Sequence, residues 1–359
     1  MPSFARLTYP RVVVRTVLAG SVVGAVVCGG LIMASDPPAS AATNAVGTGP
    51  ASAPSNPVTP SVAAATPFSF VVNGVGNSVT AYAEGANGDE LPVATISGPA
   101  TGLSLPDAAV VDSAGDLFVA NNPGTVSSVT TYAKGANGNV APIATISGPA
   151  TRLRAPTGLG VDSAGHLFVA NSTAASVTEY AKGANGNVAP IAIISGPDTG
   201  LRPTGLALDA AGHVFVANDN RGARLDSVTE YAKGANGNAV PIATISGPAT
   251  GLAGVSGVAV DASGHVFVSN RSTNSGLGSV TEYASGANGN VAPIATISSG
   301  IVGPFGLAVS AAGNLFVANF NAFSVTEYAS GANGNTPPIA TISGPNTGLT
   351  GPVDVAVVG

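Results

Sequence analysis

The sequence predicts an all-β chain closed into a six-bladed β-propeller with four-stranded blades. Three observations predict it. First, a unit of 45–52 residues recurs, marked by the S-V-T-x-Y tyrosines Tyr82, Tyr132, Tyr180, Tyr231, Tyr283 and Tyr328. Repeats of this length, built from short apolar runs, mark propeller blades rather than helical solenoids. Second, each unit holds four such runs, and Gly or Pro interrupts every stretch long enough for a helix. Third, the two ends are complementary. The first unit lacks its opening strand, and residues 352–358 supply one with nothing after it, so the C-terminal strand is expected to pair with the N-terminal blade and seal the ring.

In chain order, residues 1–41 read as an export signal. Arg6, Arg11 and Arg15 precede an uncharged stretch, residues 16–33, and Ala39-Ser40-Ala41 offers a small-x-small cleavage site. An uncleaved membrane anchor is the alternative, because 18 apolar residues just span a bilayer. Cys28, the only cysteine, lies in this segment, and Val27 before it argues against lipoprotein processing. The repeats therefore contain no disulfide, and packing must hold them together. Residues 42–67, rich in Ala, Ser, Pro and Thr, read as a linker whose prolines block helix and sheet pairing.

Residues 68–359 are the predicted propeller. In the third full unit, strand a is expected over residues 205–209, b over 213–218, c over 227–231 and d over 241–245. Strands a and b are apolar almost throughout, which fits burial on both faces. Strand c alternates, so it is expected to approach solvent, with Glu179, Glu230, Glu282 and Glu327 as solubility charges. Strand d opens with proline, suiting an outer edge. Asp-x-x-Gly between a and b predicts a type I turn, and the Asn-Gly of G-A-N-G-N between c and d predicts a tight turn.

Charged residues make up 8% of the chain and hydrophobic residues 45%, so a core is available. Beyond residue 41 there remain nine basic and 17 acidic residues, a net charge of -8. With no basic stripe, nucleic acid is an unsuitable partner for the folded part.

The runs 156–171, 203–218 and 304–319, of the form P-x-G-L-A-V-D-x-x-G-x-L-F-V-A-N and followed by S-V-T-x-Y, resemble the NHL-repeat family of six-bladed propellers. The resemblance spans residues 68–359 and implies that strand a of each blade lines the central channel. Two features depart from it: the family often has Asp where these repeats end V-A-N, and the G-A-N-G-N segment is not part of the motif.

The b-to-c and d-to-a connections are expected on one face, called the top, and their variable content makes this the predicted binding face. Its candidate residues are Asn121, Asn171, Asn218, Asp219, Arg221, Asn270, Arg271 and Asn319. The loops at 219–226 and 271–278 are longest and adjacent, placed to form one wall of a groove. The channel rim is read as Asp107-Ala108, Thr157-Gly158, Thr204-Gly205, Ser256-Gly257, Phe305-Gly306 and Val353-Asp354. Its two acids, Asp107 and Asp354, are the candidate metal ligands, for Ca²⁺ if any; no other cofactor is expected. His166, His213 and His265 occupy one repeat position in three blades. They lie too far apart to share a metal, and they read as turn residues.

These features predict an exported binding module acting through its top face. Its partner is expected to be a protein, peptide or glycan at the cell surface, and the chain itself a monomer. The location would be extracellular, or membrane-anchored if the first segment is retained. The alternative is a metal-dependent lactonase- or lyase-type enzyme with its site in the channel, as the wider resemblance implies. No phosphate loop, cysteine pair or Ser–His nucleophile motif is present.

Overall fold

The computed structural model describes residues 68–220, 225–271 and 277–358. The predicted export segment (1–41), the linker (42–67) and the candidate Arg221 lie outside them. Among the described residues no helix is long and apolar enough to cross a membrane.

Six antiparallel sheets of four strands make six blades. Blades 1 to 5 cover residues 106–147, 156–195, 203–246, 255–297 and 304–343. Blade 6 combines Pro352–Val357 from the C-terminus as strand a with Ser69–Asn73, Ser78–Tyr82 and Ala94–Ser97 as strands b, c and d. Its closing register sets Ser69 opposite Val357, Val71 opposite Val355 and Val72 opposite Asp354. The six a strands contact one another in sequence around the ring, blade 6 meeting blade 1.

Blade 3 shows how residues become strands: a Pro203–Leu208, b Val214–Asn218, c Ser227–Tyr231, d Ala243–Ser246. Strand b is buried at all five positions. The cores lie between blades, one at each interface. At the blade 2–3 interface, Phe168, Val177, Ile194 and Leu201 pack against Leu206, Val214, Val216 and Tyr231. Each such side chain, fully buried, contributes about 1.5–3 kcal/mol, so adjacent blades stabilise each other.

Three local expectations need correction. Strand d begins at Ala243, after Pro241 rather than on it: proline has no N–H, and Ile242 N–H already bonds the Glu230 carbonyl at 2.8 Å. In blade 3, strand c is buried except at Glu230, because strand d and the next blade cover it. The glutamates are not solvated charges either, since Glu179, Glu230 and Glu282 each lie against a histidine ring.

The G-A-N-G-N segments do more than turn the chain. Each lies along the outer strand of the preceding blade. Gly237 N–H of blade 3 bonds the Ile193 carbonyl of blade 2 at 2.7 Å, and Asn236 Oδ1 accepts the Ile193 N–H at 3.0 Å. The same pairing recurs at every interface, ending with Asn87 Oδ1 accepting from Thr341 N–H. This belt satisfies the exposed edge strands, which would otherwise invite pairing between molecules.

Candidate functional site

The channel mouth is shaped by irregular pairing at the start of each inner strand. Register shifts fall after Pro106, Pro156, Pro203, Val255 and Pro304, and near Asp354 in blade 6. Such bulges re-aim side chains. Here they turn hydroxyls onto the next blade: Thr157 Oγ1 donates to the Pro203 carbonyl (3.4 Å), Thr204 Oγ1 to Val255 (3.2 Å) and Ser256 Oγ to Pro304 (2.9 Å). These rim hydroxyls seal blade to blade.

The two rim acids stand on the neighbouring inner strands of blades 6 and 1. Asp354 Oδ2 accepts the Ala109 N–H of blade 1 at 2.9 Å. On its other side the carboxylate presses on blade 5, where a Cβ at Gly306 would come within 1.8 Å of Oδ1. Burial, opposed by the Ala109 and Val355 amides and reinforced by Asp107, pushes Asp354 up to about 7. Asp107 is also raised, by burial first, with Asn122 and Arg271 opposing. Asn122 Nδ2 donates to Asp107 Oδ2 at 3.4 Å.

This has a pH consequence. A carboxyl whose folded pKa lies above its unfolded value adds stability at low pH and loses it as pH rises through the folded value. Stability should therefore fall between about pH 4 and pH 7, by up to about 4 kcal/mol from this group. Asp354→Asn should flatten that slope and melt several degrees above the parent at pH 8. Parallel stability–pH curves for the two proteins would contradict the assignment.

The predicted top-face asparagines are turned into the fold. Asn121, Asn171, Asn218, Asn270 and Asn319 are at most 3% exposed and fully engaged. Asn171 Nδ2 donates to Thr178 Oγ1 and to the Val169 carbonyl, both at 3.1 Å, and its Oδ1 accepts the Arg154 N–H at 2.9 Å. The others repeat this pattern, pinning the d-to-a connection above each blade. An Asp here has no N–H for the carbonyl and hydroxyl, which gives a physical reason for Asn in every copy.

Of the remaining candidates, Arg271 and Asp219 do meet, Nη2 to Oδ2 at 3.9 Å, joining the two long loops. The guanidinium lies over the Phe305 ring at 4.5 Å, and Phe305 packs on Phe320 at 5.1 Å between ring centres. This stack crosses the tops of blades 3, 4 and 5.

The top face also holds a groove that the sequence reading did not single out. It has a volume of about 220 Å³ and lies between Thr125, Val126 and Ser127 on one side and Gly148, Pro149, Arg152, Leu153 and Arg154 on the other. Both arginines are exposed. Neither forms a salt bridge with a described residue. The arginine wall is tightly held. Asn187 Oδ1 accepts the Ala150 N–H (2.8 Å), Tyr180 OH donates to the Thr151 carbonyl, Asn171 holds Arg154, and Ser127 Oγ accepts the Ala155 N–H (3.1 Å) across the groove.

Arg152 departs from the repeat. Equivalent connections carry Gly102, Gly200, Gly251 and Gly348 after the threonine, with φ between 69° and 73°, whereas Arg152 takes φ 62° there. A side chain in that left-handed region costs roughly 1–2 kcal/mol. The signal in the sequence was T-R-L where other copies read T-G-L.

No protein-family model matches the chain, and no curated protein matches it. Solved structures match its shape. A protein of unknown function from Bacteroides caccae aligns with a TM-score of 0.57 at 10% identity, over 82% of this chain and 99% of its own. A provisionally assigned 6-phosphogluconolactonase from Bacteroides fragilis gives 0.56 at 16% identity, over 84% and 100%. A functionally unknown protein from Desulfotomaculum acetoxidans gives 0.53 at 12%, over 81% and 99%. At these identities the likeness is one of fold.

Proposed function

We propose that this propeller is an exported, non-enzymatic binding module of the NHL-like kind, which takes an acidic side chain of a protein or peptide into the groove between Thr125–Ser127 and Gly148–Arg154. The observation that carries the reading is Arg152, a strained non-glycine residue where the repeat otherwise uses glycine. Backbone strain retained at one copy out of several points to a role for the side chain. Arg152 and Arg154 together give two planar guanidinium groups suited to a carboxylate. Val126, Pro149 and Leu153 offer an apolar bed for an aliphatic stem. At about 220 Å³ the groove fits one or two side chains, below the usual size of a cofactor site. In a domain of negative net charge, such a positive spot also selects approach direction. Residues 1–41 would direct export and residues 42–67 would hold the propeller away from a membrane or wall.

The enzymatic alternative draws on the axial acids and on the lactonase assignment of one similar propeller. Of those acids, Asp354 is hydrogen-bonded into the wall with a pKa raised to about 7, so a proton competes with a cation there.

Selection from a random peptide display library against the full chain tests the binding reading. Enriched sequences should carry Glu or Asp, and the enrichment should vanish against Arg152→Gly/Arg154→Ser. Arg152→Gly restores the repeat's own residue, so this variant should fold at least as stably as the parent. Identical enrichment against both proteins would overturn the proposal.

A further inference from the structure

His166, His213 and His265 sit in blades 2, 3 and 4, each directly after an Asp-x-x-Gly turn. The structure surrounds each ring with two carboxylates from its own blade. His166 Nδ1 lies 3.3 Å from Asp162 Oδ2 and 3.2 Å from Glu179 Oε1. For His213 the distances to Asp209 and Glu230 are 2.9 and 3.3 Å, and for His265 to Asp261 and Glu282 they are 3.5 and 3.1 Å. In blade 2 all three donor atoms lie within 4.8 Å of one another.

Several observations favour a cation over a bare ion pair. One ring nitrogen faces two acids, and a single N–H can satisfy only one of them well. A divalent ion with one neutral imidazole and two carboxylates is electrically balanced. Donor atoms around a tetrahedral ion with bonds of about 2.0–2.1 Å stand about 3.3 Å apart, and the two imidazole–carboxylate spacings of blade 2 match that value. The carboxylates are also pre-aimed. Asp162 Oδ1 accepts the Ala164 and His166 amides at 2.9 and 2.8 Å, leaving Oδ2 for the centre. The acids are 12–18% exposed and the rings 34–35%, so the centre is sheltered yet reachable.

Blades 1 and 5 each lack the histidine and one acid, keeping Asp112 and Glu327 respectively. Blade 1 has Asp116 for His and Thr131 for Glu, while blade 5 has Asn314 for His and Ser310 for Asp. In blade 5 Asn314 Nδ2 donates to Glu327 Oε1 at 2.8 Å, so asparagine is the chain's own metal-free solution.

We propose that Asp162, His166 and Glu179, the one such set among the described residues whose three donor atoms all lie within 4.8 Å of one another, form a site for one zinc-class divalent ion, held by Nδ1 and two carboxylates with a further position open to solvent. It lies at the a-to-b turn of blade 2, remote in the chain from the groove segments, and stands or falls apart from that groove.

The test is titration of the chelator-treated full chain with Co²⁺, read by the visible absorption of the bound ion and by displacement with Zn²⁺. His166→Asn serves as control; it keeps Cys28, so any thiol contribution cancels. The parent should bind one more equivalent than the variant and melt several degrees higher with the ion present. Glu179→Gln, which leaves the ring a hydrogen-bond acceptor, should lose the same equivalent. Equal Co²⁺ binding by the parent and either folded variant would overturn the proposal.

Discussion

A chain ended at Gly351 should lose its cooperative thermal transition. The missing strand, Pro352–Val357, is strand a of blade 6 and the last member of the inner ring. Without it Ser69–Asn73 becomes an unpaired inner edge. Buried Val355 and Ala356 leave two interblade cores, and Ala109 N–H loses Asp354. Five apolar side chains that are wholly or partly buried and a ladder of hydrogen bonds together contribute about 5–10 kcal/mol, comparable with the whole stability of a domain. Circular dichroism melting and gel filtration read the outcome. A circular permutant starting at Pro106, with 358 joined to 68, should recover the transition. The join needs little linker, because Val358 N–H already bonds the Phe68 carbonyl at 2.8 Å. An unchanged melt for the truncated chain would refute ring closure.

Asn171→Leu should lower stability by about 3 kcal/mol, and the melting temperature by roughly 6–10 °C. The substitution is close in size but deletes three hydrogen bonds at once. It strands the Thr178 hydroxyl, the Val169 carbonyl and the Arg154 amide in a buried setting. The effect should exceed that of losing an exposed contact, because water cannot replace the partners. It should also weaken ligand capture, since Arg154 loses the anchor that fixes its backbone. Thermal unfolding gives the first number directly, and a shift below about 1 °C would show that the asparagine pattern is not a latch.

Most of the architecture was legible because the information is local and repeated. The tyrosine period, the Asp-x-x-Gly turns and the complementary ends each specify blade geometry without reference to distant residues. The inward hydrogen bonding of the asparagines was not legible, because V-A-N ends a strand beside variable loops. Whether such a side chain points to solvent or back under the next connection depends on packing, which period-2 patterning does not encode. The glutamates were misread for a related reason: alternation along strand c signals exposure only when no further strand covers it, and here strand d and the neighbouring blade do. The histidines show the limit of comparing copies. Sequence spacing separated the three rings correctly, but their acidic neighbours come from the same blade, one four residues before and one on strand c. The groove left a trace, arginine in a glycine position, and its meaning appeared only once φ at that position was known.

The most direct test of the functional reading is fluorescence anisotropy of a labelled Glu-rich peptide and its Gln-matched counterpart with the full chain, at low and at high salt. Each peptide is also measured with Arg152→Gly/Arg154→Ser. The expected result is binding of the Glu peptide at least tenfold tighter than the Gln peptide, weakened by salt, with the preference gone in the variant. Equal affinities for the two peptides, or an unchanged Glu preference in the folded variant, would contradict a carboxylate-binding groove on the top face.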